Sequence, residues 1–553
     1  MSLEVQTPYG TALPPAPRHA ITVHLPQWRS VERFRDRDPE LFRSLRSMYP
    51  RFVLHRDVLE LTAKIVDFAD IEAQGCFLYP SSQAARDCKE YATSPDRGQG
   101  SVPRDGISIR VFRTHCPVYA VVFPAEFTGT VHGFWVNAGV GISSRLAEDC
   151  LEHISSLREE VRDHEEGVTT TMTTAKSDGP AHQQLKERIA GLLNRAPADP
   201  HRTAQVSPSD VYLFSTGMAA IYWVHRYLLS AYASSPSVLF GFSFHSTIHV
   251  LQDFGPGVEF FGLGSEQDLD GLEKYLAAQS GRGNKVQAIW TEFPSNPLLN
   301  TPDLRRLRHL AHEHGALLVV DDTVGGFCNV DVLDVADIVV TSLTKSFSGY
   351  ADVMGGSAVL SPLSSRYEEL TALFGTQHHD DLYIGDAEAL ERNSRDYLER
   401  CAVLNRNAEK LVEYLQSNTN NSSSSSSSSI TQVFYPTVND TLPNYTTHLR
   451  QPSPGFPQPG YGCLLSVQLR DLDAAIAFYD NLHVHKGPHL GAHLTLALPY
   501  SLGVYGNEAA WASRYNVRQE QVRISVALED TDDLVDRVRT AVEAATRRTD
   551  PVT

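Results

Sequence analysis

The sequence lacks most of the features that mark secreted, membrane-bound and nucleic-acid-binding chains. It has only seven cysteines in 553 residues, none in a CxxC pair and none at regular spacing. That excludes a disulfide framework and a zinc ribbon and leaves reduced thiols. No run of 18 apolar residues occurs, so no stretch reads as a membrane-crossing helix. The opening MSLEVQTPYGTALPPAPRHA has no basic stretch followed by an apolar one, which is the pattern of a secretory leader. A soluble, cytoplasmic protein is therefore expected. Basic side chains are outnumbered 48 to 66, leaving a formal net charge of −18, which repels phosphate backbones and anionic lipid. Neither nucleic acid nor a membrane is expected as a partner. The chain also has no GxxxxGK[ST], no strand-coupled GxGxxG and no GxSxG elbow, so P-loop, dinucleotide and serine-hydrolase chemistry have no motif to stand on.

What remains is globular in composition, 42% apolar and 21% charged. The length predicts three or four structural units. Residues 1–20, rich in Pro, Ala and Thr, are expected to lack fixed structure. An N-terminal extension over 21–165 mixes strand-like runs such as VYAVVFPAEF (118–127) with helical ones such as SSRLAEDCLEHISSL (143–157). A Thr-rich, charged stretch at 165–182 reads as a linker or loop. The region 166–385 carries five short apolar strands separated by helical segments: VYLFS (211–215), VLFGF (238–242), VQAIW (286–290), ALLVV (316–320) and DIVVT (337–341). This spacing predicts a mostly parallel, doubly wound α/β sheet. Residues 386–553 predict a smaller C-terminal α/β domain, interrupted by the low-complexity stretch 417–430 with serines from Ser422 to Ser429, expected as a surface loop.

In such sheets ligands bind outside the carboxyl ends of the strands. Thr216, Gly217 and Met218 follow the first strand and open a helix, where backbone N–H groups can meet an anion. The fourth strand ends in Asp321, Asp322 and Thr323, and the fifth in Ser342, Leu343, Thr344 and Lys345. Pro294 and Pro297 bracket Asn296 after the third. Anion cradle, carboxylate, hydroxyls and amine together fit pyridoxal phosphate, whose phosphate, ring nitrogen and aldehyde need these partners. The tract HHDD (378–381) reads as an exposed polar loop, and no metal is expected.

The stretches STGMAAI (215–221), EFPSNPLLNTPDLRRLRHLAHEHGALLVVDDT (292–323) and TSLTKSFSGYADVMGGS (341–357) resemble the γ-family of fold-type-I pyridoxal-phosphate enzymes. HAITVHLPQW (19–28), YPRFVLH (49–55) and GISSRLAE (141–148) resemble the long, N-terminally extended cystathionine γ-synthases of fungi. The resemblance implies that Lys345 bonds the cofactor aldehyde and moves protons, and that Asp321 faces the pyridine nitrogen. It implies a phosphate cradle of Gly217, Met218, Ser342 and Thr344, with Thr323 and Asn296 beside the ring. Arg523 matches the arginine that holds the substrate carboxylate, as its planar fork suits. The family's stacking tyrosine falls on Phe240, with Phe244 nearby, and His489 stands where relatives carry a serine near that carboxylate. The tyrosine and arginine that family members send across a dimer interface to the phosphate find no clear match before HQQLKERIAGLL (182–193). A homodimer or homotetramer is implied. The activity implied is γ-replacement on an O-acyl-homoserine, with cysteine giving cystathionine. Another nucleophile (sulfide, carbon acid or amine) in specialised metabolism, or a non-catalytic homologue acting in binding or assembly, are the alternatives.

Overall fold

The structure, a computed structural model, describes residues 5–71, 74–160, 179–232, 235–419, 428–456 and 458–547. Most of the linker expected at 165–182 and most of the serine run lie outside those residues. Three sheets carry the chain. The first is antiparallel, in the order β1 (Gln74–Tyr79), β3 (Pro117–Pro124), β2 (Ser108–Arg113), β4 (Arg158–Glu160). Burial runs almost unbroken along β3, whose apolar residues pack under the helices Ser82–Thr93 and Thr128–Ala138. This is the α/β extension read from the sequence.

The second sheet has seven strands: β5 (Val211–Phe214), β6 (Ser237–Phe240), β7 (Val258–Phe261), β8 (Ala288–Glu292), β9 (Leu317–Asp321), β10 (Ile338–Thr341) and β11 (Gly356–Leu360). Their order is β5-β11-β10-β9-β8-β6-β7. β11 is antiparallel to both of its neighbours and the other pairs are parallel. All five strands read from the sequence are present. They are short runs buried on both faces, as parallel strands covered by helices must be. The third sheet, β12 (Ile430–Phe434), β13 (Leu464–Leu469), β14 (His485–Lys486), β15 (Leu496–Leu498) and β16 (Gln521–Ser525), runs β12-β13-β16-β15-β14. Helices Tyr397–Ser417 and Thr531–Arg547 back it around a core of Leu464, Val467, Ile524 and Val538.

Three expectations change. Residues 5–20 are packed rather than loose. Leu13 is 2% exposed, its N–H donates to Thr22 Oγ1 at 3.1 Å, and Gly10 and His24 pair through their backbones. Beyond them, Leu25 joins the C-terminal sheet by donating to the carbonyl of Lys486. Ser428 and Ser429, at the end of the serine tract, are buried, not surface loop. The HHDD tract is not free either: Asp381 is 9% exposed and accepts from Ser81 Oγ of the extension at 3.4 Å. Among the described residues no helix is long and apolar enough to cross a membrane.

Candidate active site

The carboxyl ends of β5, β8, β9 and β10 open into one cavity, lined by Gly217, Met218, Glu292, Asn296, Asp321, Thr323, Ser342, Lys345 and Arg523. Parallel pairing sets Glu292 directly beside Asp321. Glu292 accepts from the backbone N–H groups of Phe244 (2.6 Å) and Asn296 (3.1 Å), and Asp321 from that of Thr323 (2.9 Å). Neither carboxylate has an ion-pair partner among the described residues. Burial raises the pKa of Asp321 against its bonds from Thr323. Burial, with the Asp321 charge next to it, raises Glu292 well above the carboxylate range. A carboxyl pair of this kind, Glu292 buried and Asp321 half-buried, is relieved by a cation, since an unpaired charge out of water is costly.

The cations face that pair. Lys345 Nζ lies 3.4 Å from the Tyr49 hydroxyl and 3.5 Å from His489 Nδ1. Burial lowers its pKa, as do Arg51 and Arg523 nearby, with Tyr49 opposing. Arg523 is 3% exposed on β16 and donates to Asn296 Oδ1 (3.2 Å) and to the carbonyls of Pro488 and His489 (both 3.3 Å), its guanidinium 4.6 Å above the Tyr500 ring. Tyr500 accepts from Asn296 Nδ2 at 3.1 Å, so the amide and the guanidinium hold one another. No carboxylate neutralises Arg523 among the described residues. It has the charge and the fork for an incoming one.

Gly217 is required by close approach. A Cβ there would stand 2.5 Å from Ser342 Cβ and 2.6 Å from its Oγ. Thr216 caps the helix Gly217–Ala231 by accepting from Ala219 N–H, which leaves the first-turn donors at Gly217 and Met218 aimed at the cavity mouth, where an anion is favoured. Thr323 Oγ1 accepts from Ser342 N–H at 2.7 Å and ties the two strand ends together.

The structure thus brings together Gly217, Met218, Asn296, Asp321, Thr323, Ser342, Lys345 and Arg523, with His489 against Lys345. Two expected residues stand elsewhere. Phe240 points into the core on the far side of the sheet, against Phe261, and does not line the cavity. The turn at Gly241 (φ 80°) carries the chain onward, and Phe244 lines the cavity instead. Thr344 is fully buried with its hydroxyl engaged by both the carbonyl and the N–H of Gly355 (3.1 and 3.0 Å), so it braces the lysine turn rather than lining the cavity.

Two findings lie beyond the sequence reading. Glu292 entered it only as part of a quoted run; its position at a strand end beside Asp321 was the available signal. Second, a tyrosine and an arginine stand in the cavity, where the sequence reading found no clear match before residues 182–193 for the pair that family members send across a dimer interface. Tyr49 and Arg51 reach it from the N-terminal extension. Arg51 is 4% exposed, lies 5.4 Å from the Phe244 ring and donates to the Val136 carbonyl. Burial raises the Tyr49 phenol, and the Lys345 and Arg51 charges outweigh that and bring it below its ordinary value. The Tyr-x-Arg spacing inside YPRF was the signal.

These donors fit pyridoxal phosphate. Cationic side chains and helix N–H groups suit a phosphate, the unpaired Asp321 a protonated ring nitrogen, and the uncharged form of the half-buried Lys345 an aldehyde. Comparison with known proteins agrees. The family described as Cys/Met metabolism PLP-dependent enzyme matches residues 155–543, and the fungal trans-sulfuration enzyme N-terminal domain matches 57–143. The cystathionine gamma-synthase-like enzyme iboG2 of Amanita muscaria is 34% identical, covering 99% of this chain and 98% of its own. Cystathionine gamma-synthase of Neurospora crassa is 32% identical (97% and 98%), and alanine racemase ungC of Aspergillus violaceofuscus is 36% identical (96% of each). Among solved structures, cystathionine gamma-lyase from Lactobacillus plantarum shares the fold with a TM-score of 0.54 at 21% identity, over 70% of this chain and 91% of that one.

Proposed function

The chain belongs to the Cys/Met metabolism PLP-dependent enzymes, and from that premise we propose that it carries out γ-replacement on an O-acyl-homoserine, with cysteine as nucleophile and cystathionine as product. The observation that carries this reading is that Lys345 and Arg523 line one cavity. A half-buried amine and a buried guanidinium, neither with a carboxylate partner among the described residues, open onto it. That is the arrangement that binds an α-amino acid by its carboxylate while working on its Cα.

Bound pyridoxal phosphate supplies the electron sink that makes the substrate's Cα and Cβ protons acidic. Arg523, held by Asn296, clamps the carboxylate and so fixes which face of Cα meets Lys345. Lys345 Nζ, whose proton affinity is lowered by burial, takes the Cα proton. Its neighbour Tyr49, whose phenol is brought below its ordinary value, lies within reach to exchange that proton. His489 is 1% exposed and held neutral by burial and the Lys345 charge, so it stands beside Lys345 as an uncharged polar neighbour and not as its base. Asp321, a carboxylate without an ion-pair partner among the described residues, would hold the cofactor's ring nitrogen in its protonated form and so strengthen the electron sink. Removal of a Cβ proton by Lys345 expels the acyl group from Cγ as its carboxylate; the thiol sulfur then bonds to Cγ, the thiol proton leaves with that carboxylate, and Lys345 returns the removed protons to Cβ and Cα.

A second reading, replacement by a different nucleophile, is favoured by the wall facing Lys345. Phe52, Ile221, Phe244 and Leu490 make it apolar, and His489, at the position where relatives carry a serine, contacts Lys345 through Nδ1 and Arg523 through its carbonyl. Assembly as a homodimer or homotetramer in a cytoplasmic setting belongs to this proposal too. The test is a screen of O-acetyl- and O-succinylhomoserine against cysteine, sulfide, carbon acids and amines, with products read by mass spectrometry. Cystathionine as main product supports the first reading, and turnover only with another nucleophile replaces it with the second. No turnover with any pair, and no cofactor uptake, would leave a non-catalytic protein.

A further inference from the structure

The run HSTIH (245–249) puts two histidines four residues apart at the start of the helix His245–Asp253. That spacing sets both imidazoles on one helix face, as helical zinc sites require. The sequence reading did not single the run out and expected no metal. We propose that His245, His249 and Glu508 form a site for a divalent transition metal of the zinc class, which ties this helix to the turn Gly506–Glu508 beside the active-site cavity. The site goes beyond the reaction assigned above and does not depend on it.

The carrying observation is the convergence of three ligand atoms. His245 Nε2 lies 3.2 Å from His249 Nε2 and 2.7 Å from Glu508 Oε2, and the three atoms fall within 4.8 Å of one another. An imidazole nitrogen has one in-plane position, filled by a proton or by a lone pair. A proton on His245 Nε2 can therefore serve Glu508 or His249, but not both. A cation where the three meet serves them all. Two nitrogens bound to a tetrahedral zinc stand about 3.3 to 3.4 Å apart, close to the separation found. The carboxylate has to swing outwards by roughly half an ångström, which a side chain 49% exposed allows. Two imidazoles and a carboxylate are a set that zinc takes with water in the fourth place.

The backbone holds the trio together. Glu508 ends a short turn entered through Gly506 at φ 44°. Just before it, Tyr505 is buried, donates to the Ser243 carbonyl at 3.5 Å and packs edge-on against the His245 ring, centroids 5.1 Å apart. The protein's own contacts thus seat the carboxylate-bearing turn against residues 243–245. His245 and Glu508 line a second cavity, which gives an ion and its water a way in, and Phe52 and Phe244 line both that cavity and the active site. Two nearby guanidinium groups are already matched, Arg97 by Asp253 at 3.0 Å and Arg35 by Asp36 at 2.7 Å.

Two other His and carboxylate groups among the described residues lack this convergence. In the first, His19, His55 and Asp57, the carboxylate accepts from Arg18 at 3.0 Å, and both His19 nitrogens are engaged, by Ser144 and Glu148. In the second, His115, Asp149 and His153, the two rings stack at 4.8 Å, and His153 Nδ1 faces the Asp149 carbonyl at 2.9 Å.

The experiment uses full-length protein loaded with pyridoxal phosphate and freed of metal by chelation. Zn²⁺ is titrated in competition with a chromophoric chelator, and Co²⁺ serves as its visible stand-in. One tight equivalent per chain is expected, with the Co²⁺ absorption of a four- or five-coordinate nitrogen and oxygen site. His249→Gln and Glu508→Gln should each weaken that equivalent by more than the roughly 10 to 100-fold that loss of a supporting contact costs. Glu508 is exposed, so its replacement is carried as the variant least able to disturb the fold, with cofactor absorbance as the check. An ion that binds the folded chain raises the urea midpoint, so saturating Zn²⁺ should raise it in wild type and not in the variants. No saturable equivalent in wild type overturns the proposal, and so does one of unchanged affinity in both variants, which places the metal elsewhere. A wild-type chain that takes up Zn²⁺ in this way but no pyridoxal phosphate would refute the cofactor reading and leave the metal site standing.

Discussion

Replacing Arg523 by alanine removes a cation whose surroundings are prepared for a ligand rather than for the fold. Its donors rest on one amide oxygen and two carbonyls at 3.2–3.3 Å, and its plane lies over Tyr500. At 3% exposure it is screened little by water. An incoming carboxylate at about 4 Å in an effective dielectric near 20 gains on the order of 4 kcal/mol, which is roughly a thousandfold in affinity. Since Arg523 meets only the substrate carboxylate, Arg523→Ala is expected to raise KM and lower kcat/KM by roughly 10² to 10³ while leaving cofactor affinity within about twofold. Arg523→Lys keeps a charge but not the fork, and should recover only a fraction. The assay pairs steady-state kinetics on the amino-acid substrate with absorbance titration of pyridoxal phosphate. Unchanged kcat/KM, or equal loss of cofactor and substrate binding, would refute the assignment.

Three further perturbations follow from the site. Asp321→Asn removes the anion at the ring nitrogen; turnover is expected to fall by about 10² or more with the cofactor still covalently held, as shown by absorbance, and near-normal turnover would count against the charge argument. Gly217→Ala forces a methyl into Ser342 Cβ, and overpacking of about 1–3 kcal/mol should appear as weaker cofactor binding in fluorescence titration; wild-type affinity would contradict the close approach. Asp322 is fully buried against Thr341 Oγ1, and burial pushes its pKa from 3.8 up to about 7. The folded state therefore binds a proton that the unfolded chain has lost. Stability from this group is complete below about pH 4 and lost as pH rises towards 7. Asp322→Asn should flatten the urea midpoint across that window and raise it at pH 8; a midpoint with the same pH slope as wild type would argue against a protonated Asp322.

The parts of the molecule legible in the sequence were those whose signal is local. β5, β6, β8, β9 and β10 are runs of apolar residues buried on both faces, and the ends of β9 and β10 place Asp321, Ser342 and Lys345 at one cavity, as their positions after the strands led one to expect. β7 escaped because Val258–Phe261 is only partly buried at the sheet edge, and β11 because Gly356–Leu360 follows a glycine-rich turn and runs antiparallel. Phe240 was misplaced because sequence order does not reveal that Gly241 turns the chain and leaves Phe244, four residues later, at the mouth. Tyr49 and Arg51 are separated from Lys345 by almost three hundred residues and a whole sheet, so only the folded chain brings them together. Their pattern was visible, but its destination was not.

The most direct measurement of the central claim is reduction of the loaded protein with borohydride, followed by proteolysis and peptide mapping. The account predicts one phosphopyridoxyl group per chain, on Lys345, and its loss in Lys345→Ala. Modification of another lysine, or none after full loading, would contradict it.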